Sequence, residues 1–228
     1  GGSASAFYGQ GKRERQGLLF LGNAHGIEFE GTVAALNALN VIARGTDLRG
    51  RRWPILREYG RKLRFVVIPH FNVDGRVRHD IHRHFLNLDV EEYRRISQGD
   101  LKSGEKLVWP KSKLTWPIPP EAVEVMGGYF NDNGVNLVYD TGLAADPQPE
   151  TTALTRFLRR EMPDGVILSH SNNGSLVCEH ASFIPEHFRM WLQAFSAVAG
   201  SACRYKGYRK FGVAQAAHGY AGQILYQG

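Results

Sequence analysis

His25 and Glu28 stand three residues apart just after the apolar run 18–21, and His170 closes a second apolar run at 166–168. An imidazole and a carboxylate at this spacing can converge on one cation from a single loop. Both suit Zn²⁺, at roughly 2.0–2.2 Å each. Two imidazoles and one carboxylate leave a fourth position open for water or substrate, which is how catalytic rather than structural zinc sites are built. Each residue also has a plainer reading. Glu28 is a favourable acid for the first turn of a helix, and a lone His170 can be a hydrogen-bonded core histidine. Their shared placement after strands favours the chemical reading, because ligands in open α/β sheets gather beyond the carboxyl ends of strands.

Other clusters compete less well. His79-Asp80-Ile81-His82-Arg83-His84 puts three histidines within six residues, with His79 and His82 one helical turn apart. It reads as a polar loop over the crevice or facing solvent. Cys178-Glu179-His180 alternates as a strand with one exposed face does. The two cysteines, Cys178 and Cys203, leave pairing open, and no CxxC spacing occurs, so a metal would be held by His and carboxylates.

The elements that must position these residues follow from periodicity. Runs 18–21, 65–68 and 166–168 are short, continuous and apolar, as buried strands are. After the first, Phe29, Val33, Leu36, Leu39 and Ile42 recur at helical spacing, with Gly45 as a stop. Leu154, Phe157 and Leu158 mark a second helix, and Phe188, Trp191, Leu192, Phe195 and Val198 a third. This alternation predicts an α/β fold with a mixed, largely parallel central sheet flanked by helices. Residues 76–133, rich in His, Arg, Trp and Pro, break the rhythm and read as a long surface insertion with one helix near 91–96. The chain reads as one catalytic-type domain over residues 1–228.

Five motifs in order resemble those of the M14 zinc metallocarboxypeptidases. Gly22-Asn23-Ala24-His25-Gly26-Ile27-Glu28 is similar to that family's His-x-x-Glu zinc loop. Asn72-Val73-Asp74-Gly75 resembles its Asn-Pro-Asp-Gly stretch, with valine in place of proline. Gly134-Val135-Asn136-Leu137 resembles the start of Gly-Val-Asp-Leu-Asn-Arg, and Pro149-Glu150-Thr151 the opening of the next helix. Ser169-His170-Ser171 matches the strand end that carries the third ligand. The resemblance implies the zinc carboxypeptidase-like (phosphorylase/hydrolase-like) fold, one Zn²⁺ per chain, and His25, Glu28 and His170 as its ligands.

The activity so implied is hydrolysis of a peptide or amide bond, with zinc-activated water attacking the scissile carbonyl. The alternatives are an N-acyl amino acid amidohydrolase of the aspartoacylase or desuccinylase kind, whose relatives use the same ligands, and a non-catalytic module that keeps the metal. The family's general-base Glu follows a substrate-facing Tyr near the C-terminus. The stretch 222–228 resembles that tyrosine's segment, making Tyr226 its candidate, and no acidic residue follows it, the last being Glu186. The general base is thus unassigned, and the chain is expected to lack the C-terminal part of the family domain. The family's Asn-Arg pair for a substrate carboxylate falls at Val138 and Tyr139. Either Arg76, Arg78 or Lys111 takes over that grip, or the substrate, a peptide or small amide, does not end in a free carboxylate, the reading favoured here; Arg76, Arg78 and Tyr139 are the substrate-binding candidates.

Composition bounds the rest. No apolar run approaches the roughly 20 residues that span a bilayer. The small, polar start lacks a signal-peptide core, so the expectation is a soluble protein, cytoplasmic or exported with its signal removed. The net charge of +6 is concentrated in Arg49, Arg51, Arg52, Arg57, Arg61, Lys62 and Arg64. That stretch reads as a solvated face flanking a strand. No aromatic platform accompanies it, so nucleic acid is not an expected partner.

Overall fold

In the computed structural model the described residues are 15–80, 82, 87–108, 111–112, 117–140, 146–171, 175–179, 185–205 and 212–216. Three parallel strands form the central sheet: β1 (Gly17–Leu21), β2 (Arg64–Ile68) and β5 (Gly165–Leu168), in the order β2-β1-β5. Leu19 of β1 faces Val66 on one side and Val166 on the other. A strand covered on both faces favours the unbroken apolar runs seen here over strict alternation. Between β1 and β2 come helices α1 (Glu30–Arg44) and α2 (Pro54–Lys62). Gly45 ends α1 in a left-handed conformation, its N–H donating to the Val41 carbonyl at 2.7 Å. Pro54 starts α2, where a missing N–H costs nothing.

The short helix α3 (Val73–Val77) follows β2, and α4 (Val90–Gln98) lies in the segment read as an insertion. There β3 (Asp100–Leu101) and β4 (Val123–Val125) pair antiparallel. The segment is more than a surface loop, because Leu107, Ile118 and Phe130 bury one another in a small core of its own. Helix α5 (Pro149–Glu161) precedes β5. A further parallel pair, β6 (Ser175–Glu179) with β7 (Gly212–Ala216), packs against α6 (Glu186–Tyr205). No helix of the described residues is long and apolar enough to cross a membrane.

The main core joins Leu19, Leu21, Ala24, Phe71, Leu137, Val138, Leu154 and Leu158, drawn from the sheet, its following loops and α5. It lies directly beneath the carboxyl ends of β1 and β5. Backbone bonds carry the ladder past the strands: Gly22 N–H donates to the Ile68 carbonyl at 2.9 Å, and Ser169 N–H to the Leu21 carbonyl at 3.0 Å. The loops after β1 and β5 therefore leave the sheet side by side.

Candidate metal centre

Those two loops carry the three residues singled out by chemistry. His25 Nδ1 lies 3.2 Å from Glu28 Oε1, and His170 Nδ1 lies 3.0 Å from Glu28 Oε2. One ligand atom from each residue falls within 4.8 Å of the other two, the one such group of three among the described residues. His25 and Glu28 are buried, whereas His170 is exposed and opens the cluster to solvent. Glu28 sits before α1 in a turn closed by its N–H to the His25 carbonyl at 3.0 Å. Its carboxylate faces the two imidazoles rather than capping the helix.

Electrostatics suit a cation. Burial is the largest influence on Glu28 and pushes its carboxyl upward, but the attraction and hydrogen bonds of His25 and His170 outweigh it. The group ends well below its ordinary range and stays ionised. For His25, burial dominates the opposing pull of Glu28 and holds the imidazole below its ordinary value. A neutral imidazole beside an ionised carboxylate is the protonation state a metal requires. Both Nδ1 atoms point to the carboxylate, and the remaining ring nitrogen of His25, Nε2, is buried with no hydrogen bond of good geometry. Asn136, from the Gly134-Val135-Asn136-Leu137 motif, interacts with that ring and favours its charged form. This donor set of two imidazoles and one carboxylate fits Zn²⁺.

The loop's shape comes from neighbours that the spacing argument did not reach. Asn23 adopts a positive φ of 52°, which asparagine tolerates better than most residues. Its amide donates to the carbonyls of His25 at 3.3 Å and Gly26 at 3.0 Å. Its Oδ1 meets Thr32 Oγ1 at 2.5 Å and His70 Nδ1 at 2.8 Å. Asn72 caps α3 by accepting from Gly75 N–H at 2.8 Å, while its own N–H donates to the Asn23 carbonyl at 2.9 Å. The Asn72-Val73-Asp74-Gly75 motif thus braces the loop from below. Ser171 N–H donates to Glu28 Oε2 at 3.2 Å, and its hydroxyl hydrogen-bonds Glu30.

Tyr129 arrives from the segment 76–133 and stacks on His25, with centroids 3.7 Å apart and planes within 9°. Burial, followed by the charge of Glu28, pushes its phenol above its ordinary value, so it remains a donor beside that carboxylate. No local spacing marked this residue; the signal available was Gly127-Gly128-Tyr129, whose glycines permit close approach. A Cβ on Gly128 would sit 3.0 Å from Ile27 Cβ. Replacing Tyr129 by alanine is expected to weaken metal binding by about 10- to 100-fold, the usual cost of losing a side chain that orients a ligand. Tyr129→Phe, which keeps the stack, should lose less. Competition against a chelator measures both, and wild-type affinity in the alanine variant would remove Tyr129 from the centre.

The other residues singled out from sequence fall as follows. Arg76 donates to the His79 carbonyl at 2.7 Å and lies over the Phe29 ring. Arg78 donates to the carbonyls of Gly127 at 3.0 Å and Phe130 at 3.2 Å and pairs with Asp132. Val138 is 3% exposed, and Tyr139 packs against the core. Lys111 pairs with Glu105 at the surface. His82 is exposed, and His79 joins no group of three ligands among the described residues. Tyr226, His84 and the side chains of Cys178 and Cys203 lie outside the described residues.

No family model and no curated protein sequence matches the chain. Among solved structures it is similar to the carboxypeptidase A of Helicoverpa armigera, at 12% identity and a TM-score of 0.53. The likeness covers 94% of this chain and 50% of that one, so the chain spans half the length of the protein it matches. At that identity the likeness concerns architecture alone. The fold is a carboxypeptidase-like α/β fold carrying a His-Glu-His cluster able to bind a metal.

Proposed function

We propose that the protein is a zinc-dependent hydrolase of peptide or amide bonds, related to the M14 metallocarboxypeptidases. The observation that carries this reading is the convergence of His25, Glu28 and His170 at the carboxyl ends of β1 and β5, open to solvent on the His170 side. Zinc held there supplies polarisation of a carbonyl and a lowered pKa for bound water. The chain's own contribution is to hold Glu28 ionised and His25 neutral, to fix their orientation through Asn23, Ser171 and Tyr129, and to leave one side accessible. Elemental analysis tests the metal: the expected result is close to one zinc per chain, lost in His170→Ala. A wild-type protein that takes up no stoichiometric metal when zinc is offered defeats the reading.

Substrate preference follows from the residues around the centre. Val138 is part of the core, Tyr139 packs on it, Arg78 is committed to two backbone carbonyls and Asp132, and Arg76 is held against the His79 carbonyl and the Phe29 ring. Gripping a carboxylate bidentately needs a free guanidinium fork. Paired peptides with free and amidated C-termini should therefore be hydrolysed at similar kcat/KM. A preference for the free acid of a hundredfold or more, about 2.7 kcal/mol, would contradict this assignment.

A further inference from the structure

Part of the basic stretch that the proposed activity does not use lines an open groove. Arg44, Gly45, Thr46, Arg52, Pro54, Arg57, Glu58, Arg61 and Lys62 line a cavity of about 770 Å³ between the end of α1 and α2. Positions 54, 57, 58 and 61 share one face of α2 because they recur at helical spacing. Helix α1 begins beside Glu28 and runs 15 residues to Arg44, about 22 Å at 1.5 Å per residue, so the groove lies at the opposite pole from the metal centre.

Its charge is unbalanced. Five cations line the groove against one carboxylate, Glu58, and that carboxylate is taken by Lys62 at 2.8 Å. Among the described residues, the guanidiniums of Arg44, Arg52, Arg57 and Arg61 have no hydrogen-bond or ion-pair partner. Arg57 Nε is also buried without a partner. Its side chain lies across Gly45, where an added Cβ would stand 3.1 Å from Arg57 Cδ. The negative end of α1 is balanced by a single nearby cation, which Arg44 in its last turn already supplies. The remaining arginines have no structural duty of that kind.

We propose that this groove is a binding site for a small, multiply phosphorylated anion. Arginine forks match phosphate oxygens bidentately, and four of them around one concavity suit clustered phosphates. The volume lies within the roughly 300–1,000 Å³ of small-molecule pockets. The site is independent of the metal.

Isothermal titration of the 228-residue chain with inorganic tripolyphosphate tests it. The expected result is one saturable site per chain that weakens as salt is raised. Arg57→Gln should weaken binding by roughly tenfold, the scale of one charge-assisted hydrogen bond. Arg52→Gln/Arg61→Gln, at exposed positions, should do the same or more and guards against a folding defect at Arg57. His170→Ala should leave tripolyphosphate binding unchanged. Soluble inositol hexakisphosphate and vesicles containing a phosphoinositide bisphosphate separate a free phosphate ligand from a lipid headgroup, and binding of either supports the site. No saturable binding, full binding in the arginine variants, or tighter binding of an oligoglutamate peptide overturns the proposal.

Discussion

Glu28→Gln is expected to lower zinc affinity by more than about 100-fold and to take amide hydrolysis below detection. Losing a residue that merely orients a ligand costs about 10- to 100-fold, and Glu28 is a ligand candidate itself. Its carboxylate is 1% exposed and faces His25, His170 and the Ser171 N–H together. Glutamine preserves the volume but removes the charge and presents an NH₂ group to one imidazole. A buried and an exposed imidazole then share one carbonyl oxygen. Zinc stoichiometry and chelator competition read the first effect, and turnover of an amide substrate reads the second. Circular dichroism separates both from unfolding. If E28Q kept wild-type zinc affinity, the metal would have to sit somewhere other than this cluster.

The second large effect concerns the backbone that presents His25. Gly26→Ala would place a Cβ 2.2 Å from the Gly75 carbonyl carbon and 2.3 Å from Arg76 N, both main-chain atoms of α3. Relief by rotation of a side chain is impossible there. Gly26 N–H also donates to the Gly128 carbonyl at 2.7 Å, so the loop cannot withdraw without giving up a buried hydrogen bond. The expected destabilisation is at the upper end of overpacking costs, about 3 kcal/mol. That corresponds to a fall in Tm of about 6–12 °C for a domain of this size. Loss of zinc should accompany it, because the clash acts on the residue beside His25. Gly17→Ala is the control: its nearest added contact is an ordinary 3.5 Å, and the change should stay within about 0.5 kcal/mol. A Tm for G26A equal to that of G17A would mean the loop does not approach α3 as described.

Much of this was legible in order along the chain. The runs read as strands at 18–21, 65–68 and 166–168 became β1, β2 and β5 with a one-residue extension each. The stop at Gly45 held because a C-cap is a local signal, and the helix start at Pro149, implied by the resemblance, is where α5 begins. The basic stretch was read as charge and not as α2, a helix of nine residues whose apolar Ile55, Leu56 and Tyr59 share a face that stays exposed. The segment 76–133 was the least legible, since its small core joins Leu107, Ile118 and Phe130 across turns that no periodicity announces.

By itself, the sequence determined the parallel strands and the placement of a histidine after two of them, because unbroken apolar runs and the residues that end them are short-range properties. It also narrowed any metal site to imidazole and carboxylate ligands. That the Glu28 carboxylate turns to His170 rather than to the first turn of α1 was decided only by tertiary structure, through a contact across 142 residues. The stacking of Tyr129 on His25, the bracing by Asn72, and the commitment of Arg78 to backbone carbonyls belong to the same category. Such contacts depend on where the chain reverses and how closely two backbones approach, and at Gly26 that approach leaves no room for a single methyl group.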